Sequence, residues 1–266
     1  MSGPEADCVA RLTEAGTLVL GKTTTCEFAY TAPTVTRNPH SLGHTPGGSS
    51  SGSAAAVAAG LCPLALGTQA TGSLIRPAAF CGVVAYKPTY DRISRRGIVP
   101  LAPSLDHVGL LATDVAGIQR AARLLCDSWR DPEPTLHTPV LGIPEGPYLS
   151  RASGEGREHF ETTCQRLTAA GYSLLTVPAM LDFESLVDRH NMLLAGEAAR
   201  VHRRWFPTYG ERYEPQTAEL IRKGQGVSAS TLANARAGRD ALCAELTAIM
   251  DAHGLDLWLS PSAPGP

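Results

Sequence analysis

The chain has 266 residues, 43% hydrophobic and 18% charged, the composition of a soluble globular protein long enough for one large domain with a sizeable core. A formal net charge of −2 argues against the basic footprint of a nucleic-acid binder. No apolar run reaches the ~18–20 residues of a membrane span, and no secretory h-region opens the sequence. The seven cysteines are scattered, with no CxxC pair or Cys/His cluster, so neither a metal site nor a disulfide framework is expected. Set among Ala, Leu and Val, most read as small buried hydrophobes, which fits a reducing cytoplasm.

Pro4 to about Ala15 predicts a helix with acidic residues in its first turn and Gly16 behind it. Thr17–Leu20 then predicts a short buried strand. Gly16–Thr23, GTLVLGKT, formally satisfies the phosphate-binding pattern G-x-x-x-x-G-K-[ST]. That pattern needs a strand before it and a helix after it. Here a helix precedes, the variable positions are strand-like, and the following TTTCEFAY is β-prone, so nucleotide binding is not expected. Thr23–His44 reads as irregular.

Pro46–Gly82 is PGGSSSGSAAAVAAGLCPLALGTQATGSLIRPAAFCG. So dense a run of Gly and Ser permits backbone approaches that a Cβ would block. Flexible linkers share this composition, but Val57, Leu61, Leu64, Leu66 and Ile75 would be out of place in a solvated tether. Ser53–Ala59 predicts a helix of small residues, Pro63–Leu66 a strand, and Gly82–Tyr86 another. PGGSSSGSAAAVAAG at Pro46–Gly60, GTQATGSLIRPAAFCG at Gly67–Gly82, and the KPT, SRRG and PSLD pieces between Gly82 and Val115 follow one another in a fixed order. In that order and spacing they resemble the amidase signature family, the Ser-cis-Ser-Lys hydrolases that cleave carboxamides.

The resemblance implies a mechanism. An amide is a poor electrophile, so its hydrolysis needs an activated nucleophile, a proton for the leaving nitrogen and donors for the developing oxyanion. The family's nucleophile matches Ser73. Its relay serine, held by a cis peptide, matches Ser49, with Gly47 and Gly48 giving that loop room. The oxyanion hole falls by position on the amides of Ala70, Thr71, Gly72 and Ser73. Thr71 departs from the small residue usual in the family, and a β-branched side chain there restricts the backbone without removing a donor. The family's third partner, a lysine acting as neutral base, lies upstream of the matched region, so this sequence is expected to lack it. Lys22 is the one lysine before Ser49 and reads as an ordinary partly buried lysine in the wrong context. Arg76 has two readings: a structural ion pair, which is favoured, or a substrate-binding guanidinium suited to a carboxylate, as in relatives that accept acidic amides. His44 and His107 read as surface or local hydrogen-bonding residues. The basic groups Arg92, Arg95, Arg96 and His202–Arg204 read as solvated faces.

Beyond Asp114, an N-cap, a helix runs to about Cys126, followed by a Pro/Asp-rich connection at Asp131–Pro134. Val140–Ile143 predicts a strand and Arg157–Ala170 a helix with Phe160, Cys164 and Leu167 on one face. Leu174–Val177 predicts a second strand. Asp182 to about Trp205 and Ser230 to about His253 predict long helices, the second with Leu242, Leu246, Ile249 and Met250 on one face. The strand-helix-strand rhythm argues for α/β architecture. The closing LDLWLSPSAPGP resembles the family's strand and proline turn before a further segment.

Together these readings give an α/β fold of the amidase-signature type, a central mixed sheet flanked by helices on both faces, incomplete at both ends, with residues 1–266 forming one amidase domain. The expected function is hydrolysis of a small carboxamide through an acyl-enzyme at Ser73, without metal or cofactor. The alternatives are a non-catalytic remnant keeping the fold and a protein like the A component of glutamyl-tRNA amidotransferase. The expected partner is the small-molecule amide, with no nucleic acid and no membrane; a homodimer is left open.

Overall fold

A computed structural model describes residues 5–131, 133 and 137–265. In chain order these form α1 (Asp7–Glu14), a 3-10 turn (Glu27–Ala29), α2 (Ser51–Ala58), β1 (Leu64–Gln69), α3 (Ile75–Cys81), β2 (Val84–Tyr86), β3 (His107–Ala112) and α4 (Val115–Leu125). Then come β4 (Val140–Glu145), α5 (Pro147–Ser150), α6 (Gly154–Ala169), β5 (Ser173–Pro178) and α7 (Phe183–His202). The chain continues through α8 (Phe206–Tyr209), a 3-10 turn (Gly210–Arg212), α9 (Pro215–Gln225), α10 (Ala229–His253) and β6 (Leu257–Trp258). Two compact units result: one runs to Asp131 and takes in Leu194–Gly226, the other contains the segments up to Leu193 and from Val227 onward. No described helix is long and apolar enough to cross a membrane.

In the first unit β3 is the centre of an antiparallel sheet of order β1-β3-β2, with Gln69 opposite His107 and Tyr86 opposite Leu110. Side chains alternate across a strand, and β3 uses both faces. Val108, Leu110 and Ala112 pack with Cys8 and Leu12 of α1 and with Ile118, Ala121, Ala122 and Leu125 of α4. Leu111 points the other way, into Ala54 and Val57 of α2, Leu74 just before α3, and Ala78 and Cys81 of α3. Helices therefore cover both faces of this sheet, the α/β layering expected of the sequence. α4 starts at the expected cap, where the Asp114 carboxylate accepts the Gly117 N–H at 2.6 Å.

In the second unit β4 lies between β5 and β6 and is parallel to both. α6 carries the chain from β4 to β5. Its cap is local: the Ser153 hydroxyl accepts the Gly156 N–H at 3.0 Å. Asp256 ties the β6 edge to the sheet by accepting the Val140 N–H at 2.8 Å.

Several expectations need correction. Thr17–Leu20 is coil, with Leu18 86% and Leu20 73% exposed. Strand propensity is realised only by pairing, and this segment has no partner strand among the described residues. After Lys22 the chain continues as coil into the Glu27–Ala29 turn. β3 is a continuous apolar run that shows no alternation because both its faces are covered. α3 hid behind Pro77, which stands at its third position, where a missing N–H costs no helical hydrogen bond. α9 carried readable signals, Pro215 at its first position and Arg222 and Lys223 in its last turn. Pro4 and the prolines of the 131–134 connection lie outside the described residues. Of the basic groups, Arg96, Arg203 and Arg204 are exposed as expected, Arg96 pairing with Asp7 at 2.8 Å, whereas half-buried Arg92 donates to the Asp127 and Ser128 carbonyls at 2.7 and 3.0 Å. His202 is fully buried.

Candidate active site

β1 ends at Gln69, and the four residues that follow turn the chain into α3. The turn is closed by a side chain that the motif contains but whose role it does not reveal. Gln69 Oε1 accepts the N–H groups of Leu74 and Ile75 at 2.9 and 3.1 Å, satisfying amides that the first turn of a helix leaves without partners. Leu74 is fully buried in the α2–α3 layer and anchors the turn from behind. Ser73, 7% exposed, sits at the head of α3 between that anchor and the bend at Ala70–Gly72.

The second serine comes from the loop before α2. Gly47 has φ of 76°, and a Cβ there would lie 3.0 Å from Pro77 Cα, so the loop presses on α3 where only glycine fits. The Gly48–Ser49 peptide is cis, the conformation that the resemblance implies before Ser49. Both of its flanking carbonyls are held. Gly48 O accepts Arg76 Nε at 3.1 Å and Nη2 at 2.6 Å, while Ser49 O accepts the Cys26 N–H at 3.1 Å and the Thr25 hydroxyl at 2.9 Å. Ser50 N–H donates to the Ser73 carbonyl at 3.1 Å, which brings the two serine segments side by side.

The hydroxyls in this loop divide sharply. Ser50 Oγ bridges the Thr68 N–H and carbonyl, Ser51 Oγ donates to Gly47 O at 2.7 Å, and Ser53 Oγ donates to Leu66 O at 2.8 Å. Ser49 is 0% exposed, and its Oγ has no hydrogen-bond partner among the described residues. Leaving a buried hydroxyl unsatisfied costs about 1–3 kcal/mol.

The remaining expected residues fall as follows. Ala70 and Gly72 are half-buried and Thr71 is exposed in the turn before Ser73. Arg76 is occupied by the Gly48 carbonyl, a structural engagement rather than an ion pair. Lys22 is exposed in coil. His44 Nδ1 meets the Ser41 hydroxyl at 2.7 Å. His107 Nδ1 lies 2.7 Å from Leu105 O; a carbonyl only accepts, so this nitrogen carries the proton, and burial lowers the imidazole pKa, favouring the neutral ring. Burial likewise lowers the pKa of Lys87, whose ammonium donates to Pro88 O. Burial raises the Asp106 carboxyl to about 6, against the opposing pull of the Ala102 and Leu101 amides that donate to it. Thr68, Arg95, Leu101, Asp106 and His107 help to line a cavity of about 440 Å³. Among the described residues no group of three or more His, Cys, Asp or Glu could hold a metal ion. Sequence reasoning missed Gln69, Thr25 and Cys26. Gln69 left a faint signal, a polar residue ending an otherwise apolar strand; the other two left none, because their partner lies more than twenty positions away.

A sequence model of the amidase family matches residues 2–266. The A component of glutamyl-tRNA(Gln) amidotransferase from Thermus thermophilus is 46% identical over 167 residues, covering 58% of this chain and 34% of that protein. Its namesake from Symbiobacterium thermophilum is 44% identical over 162 residues, 53% of this chain and 33% of its own length. Among solved structures, one described as an amidase superposes with a TM-score of 0.91 at 34% identity, covering 98% of this chain and 61% of its own. The native peptide amidase from Stenotrophomonas maltophilia superposes with a TM-score of 0.76 at 26% identity, over 97% of this chain and 65% of its own. The chain thus spans about a third of the length of the curated relatives it matches.

Proposed function

The chain belongs to the amidase family, and from that premise we propose that it hydrolyses a small carboxamide, with Ser73 as nucleophile and Ser49 as proton relay. Ser73 Oγ attacks the amide carbon while its proton passes to Ser49 Oγ, which gives up its own hydroxyl proton toward the amide nitrogen. The carbonyl oxygen becomes an oxyanion facing the amides of the 70–73 turn. Collapse breaks the C–N bond, the nitrogen leaves as ammonia carrying the proton relayed by Ser49, and the acyl group stays on Ser73. Water then attacks the ester, releasing the carboxylate and restoring the serine hydroxyl.

One observation carries the reading: the buried, unpartnered hydroxyl of Ser49, set beside the Ser73 peptide and clamped through both neighbouring carbonyls. A structural serine would resemble Ser50, Ser51 and Ser53, each of which is hydrogen-bonded. A relay needs a hydroxyl free to accept one proton and pass on another. In the family a lysine receives that proton; Lys22, Lys87 and Lys223, the lysines of this sequence, make no hydrogen bond to Ser49 Oγ. Arg76 acts in this scheme as the support of the cis peptide rather than as a substrate ligand. The match across residues 2–266 supports treating both compact units as one amidase domain.

A second reading, an amidotransferase component that works within a larger assembly, is favoured by the names of the curated relatives. It keeps Ser73 and Ser49 in the same roles and changes the fate of the released ammonia.

The test is modification of the chain by a fluorophosphonate probe, mapped by peptide mass, together with ammonia release from small primary amides. Ser73 is the expected site, Ser73→Ala abolishes both signals, and Ser49→Ala lowers them by about 10³-fold. Equal ammonia release from wild type and Ser73→Ala would overturn the proposal in favour of a non-catalytic protein that keeps the fold.

A further inference from the structure

Ser49 is held by a strip of chain that itself needs holding. From Thr23 to Cys26 the backbone runs alongside Ser49–Ser53 with contacts at every residue. Thr23 Oγ1 meets Ser53 Oγ at 2.8 Å, Thr24 O accepts the Gly52 N–H at 3.0 Å, and Thr25 and Cys26 both donate to Ser49 O. The strip and the loop touch so closely that a Cβ on Gly52 would lie 2.6 Å from Thr24 N. Yet Thr17–Thr25 is exposed coil, and among the described residues no hydrogen bond is made by the 18–22 segment just upstream of the strip.

What lies downstream is different. Phe28 and Ala29 have φ of 45° and 60°, left-handed conformations that side chains other than glycine adopt only where their surroundings impose them. The Phe28 ring supplies the restraint. It lies nearly parallel to Tyr213 at 5.2 Å and to Trp205 at 6.4 Å, and meets His202 edge-on at 4.5 Å. His202 is fully buried at the end of α7 and its Nδ1 is 2.9 Å from Tyr213 Oη, which locks two walls of the cage together. Beside the ring, Glu27 Oε2 accepts the N–H of Glu214, the residue that caps α9, at 3.0 Å.

We propose that this cage of His202, Trp205 and Tyr213 around Phe28, with the Glu27–Glu214 contact, is the positioning device for Ser49. It fixes the 27–29 turn, and the turn in turn holds the Thr23–Cys26 strip against the Ser49 carbonyl. None of the cage residues is hydrogen-bonded to either serine; they are positioning residues, supplied from far along the chain. The inference rests on the catalytic reading of Ser49 and Ser73.

Cys26 provides a reporter that is independent of catalysis. It is buried, 3.9 Å from Ser51 Oγ, and becomes accessible when the strip lifts. Cys8 and Cys126 are equally buried, but in the α1–α4 layer, so they report global unfolding. The experiment measures N-ethylmaleimide modification of each cysteine by peptide mass, and fluorophosphonate modification of Ser73, in wild type, Phe28→Ala, Glu27→Ala and Glu27→Gln. In the two alanine variants Cys26 modification is expected to rise about tenfold while Cys8 and Cys126 hold at wild-type rates, and Ser73 modification to fall by a similar factor. Glu27→Gln keeps a side-chain oxygen for the Glu214 N–H and is expected to restore both. If Phe28→Ala exposes all three cysteines, the Glu27 pair decides. Protection of Cys26 unchanged in Glu27→Ala, or Cys26 released with Ser73 reactivity unchanged, would overturn the proposal. No Ser73 modification in wild type, alongside the expected Cys26 responses, would instead overturn the hydrolase reading and support the hold on Ser49.

Discussion

The two three-stranded sheets of this chain are specified in different ways. On the α2–α3 face of β1-β3-β2 the packing is by small residues, α2 being SGSAAAVA, and the chain is held by backbone approaches and buried side-chain hydrogen bonds. Around β5-β4-β6 the connecting helix α6 has no fully buried residue and packs through one half-covered face. Where small residues bring backbones together, each position depends on a particular distant partner. Where an amphipathic helix lies on a sheet, many residues each contribute a little and most can be exchanged.

The largest expected contrast comes from a single methyl group. Gly52→Ala pushes a Cβ into the Thr24 backbone, which no rotamer change relieves, and is expected to lower stability by about 3 kcal/mol. Gly154→Ala, at the first turn of α6 with nothing within 4 Å, is expected to raise it by about 0.5 kcal/mol. Urea unfolding measures both; similar values for the two would break the comparison.

A smaller contrast concerns polar supports. Arg76→Ala removes two charge-assisted donors from the half-buried Gly48 carbonyl and is expected to cost about 2 kcal/mol. Ser153→Ala removes an exposed cap from α6 and is expected to cost about 1 kcal/mol. Arg76→Ala at or below the cost of Ser153→Ala would mean that the cis-peptide loop does not need its guanidinium.

The smallest effect is a slope. Asp106 is raised to about 6 by burial, with Glu197 adding to the rise and Arg95 opposing it. The native state therefore holds this proton more tightly than the unfolded chain does. Its contribution to stability is lost as pH climbs from about 4 to about 6. Asp106→Asn, which retains an oxygen for the Leu101 and Ala102 amides, is expected to flatten the urea midpoint across that interval. An unchanged slope would assign it to other groups.

Legibility followed the same divide. α4, α6, β4, β5, α7 and α10 were readable because apolar periodicity and the Asp114 cap are local signals. β3, α3 and the coil at Thr17–Leu20 were not: β3 is covered on both faces, α3 opens around a proline, and a strand without a partner is no strand. At the site, Ser49 and Ser73 were visible through the order of the motifs. Gln69, Thr25, Cys26, Glu27 and Phe28 carry no mark in the sequence that states their role, since what distinguishes them is the residue each one meets.

The sequence by itself determined the family, the α/β class and the two serines to examine, because motif order and hydrophobic period are properties of the chain alone. Only the tertiary structure decided that Ser49, among the serines of its loop, has no hydroxyl partner among the described residues, that Arg76 holds a carbonyl, and that an aromatic cage stands behind the Thr23–Cys26 strip. Those facts depend on which atoms come within hydrogen-bonding or stacking distance after the chain closes on itself, and no local pattern encodes such distances.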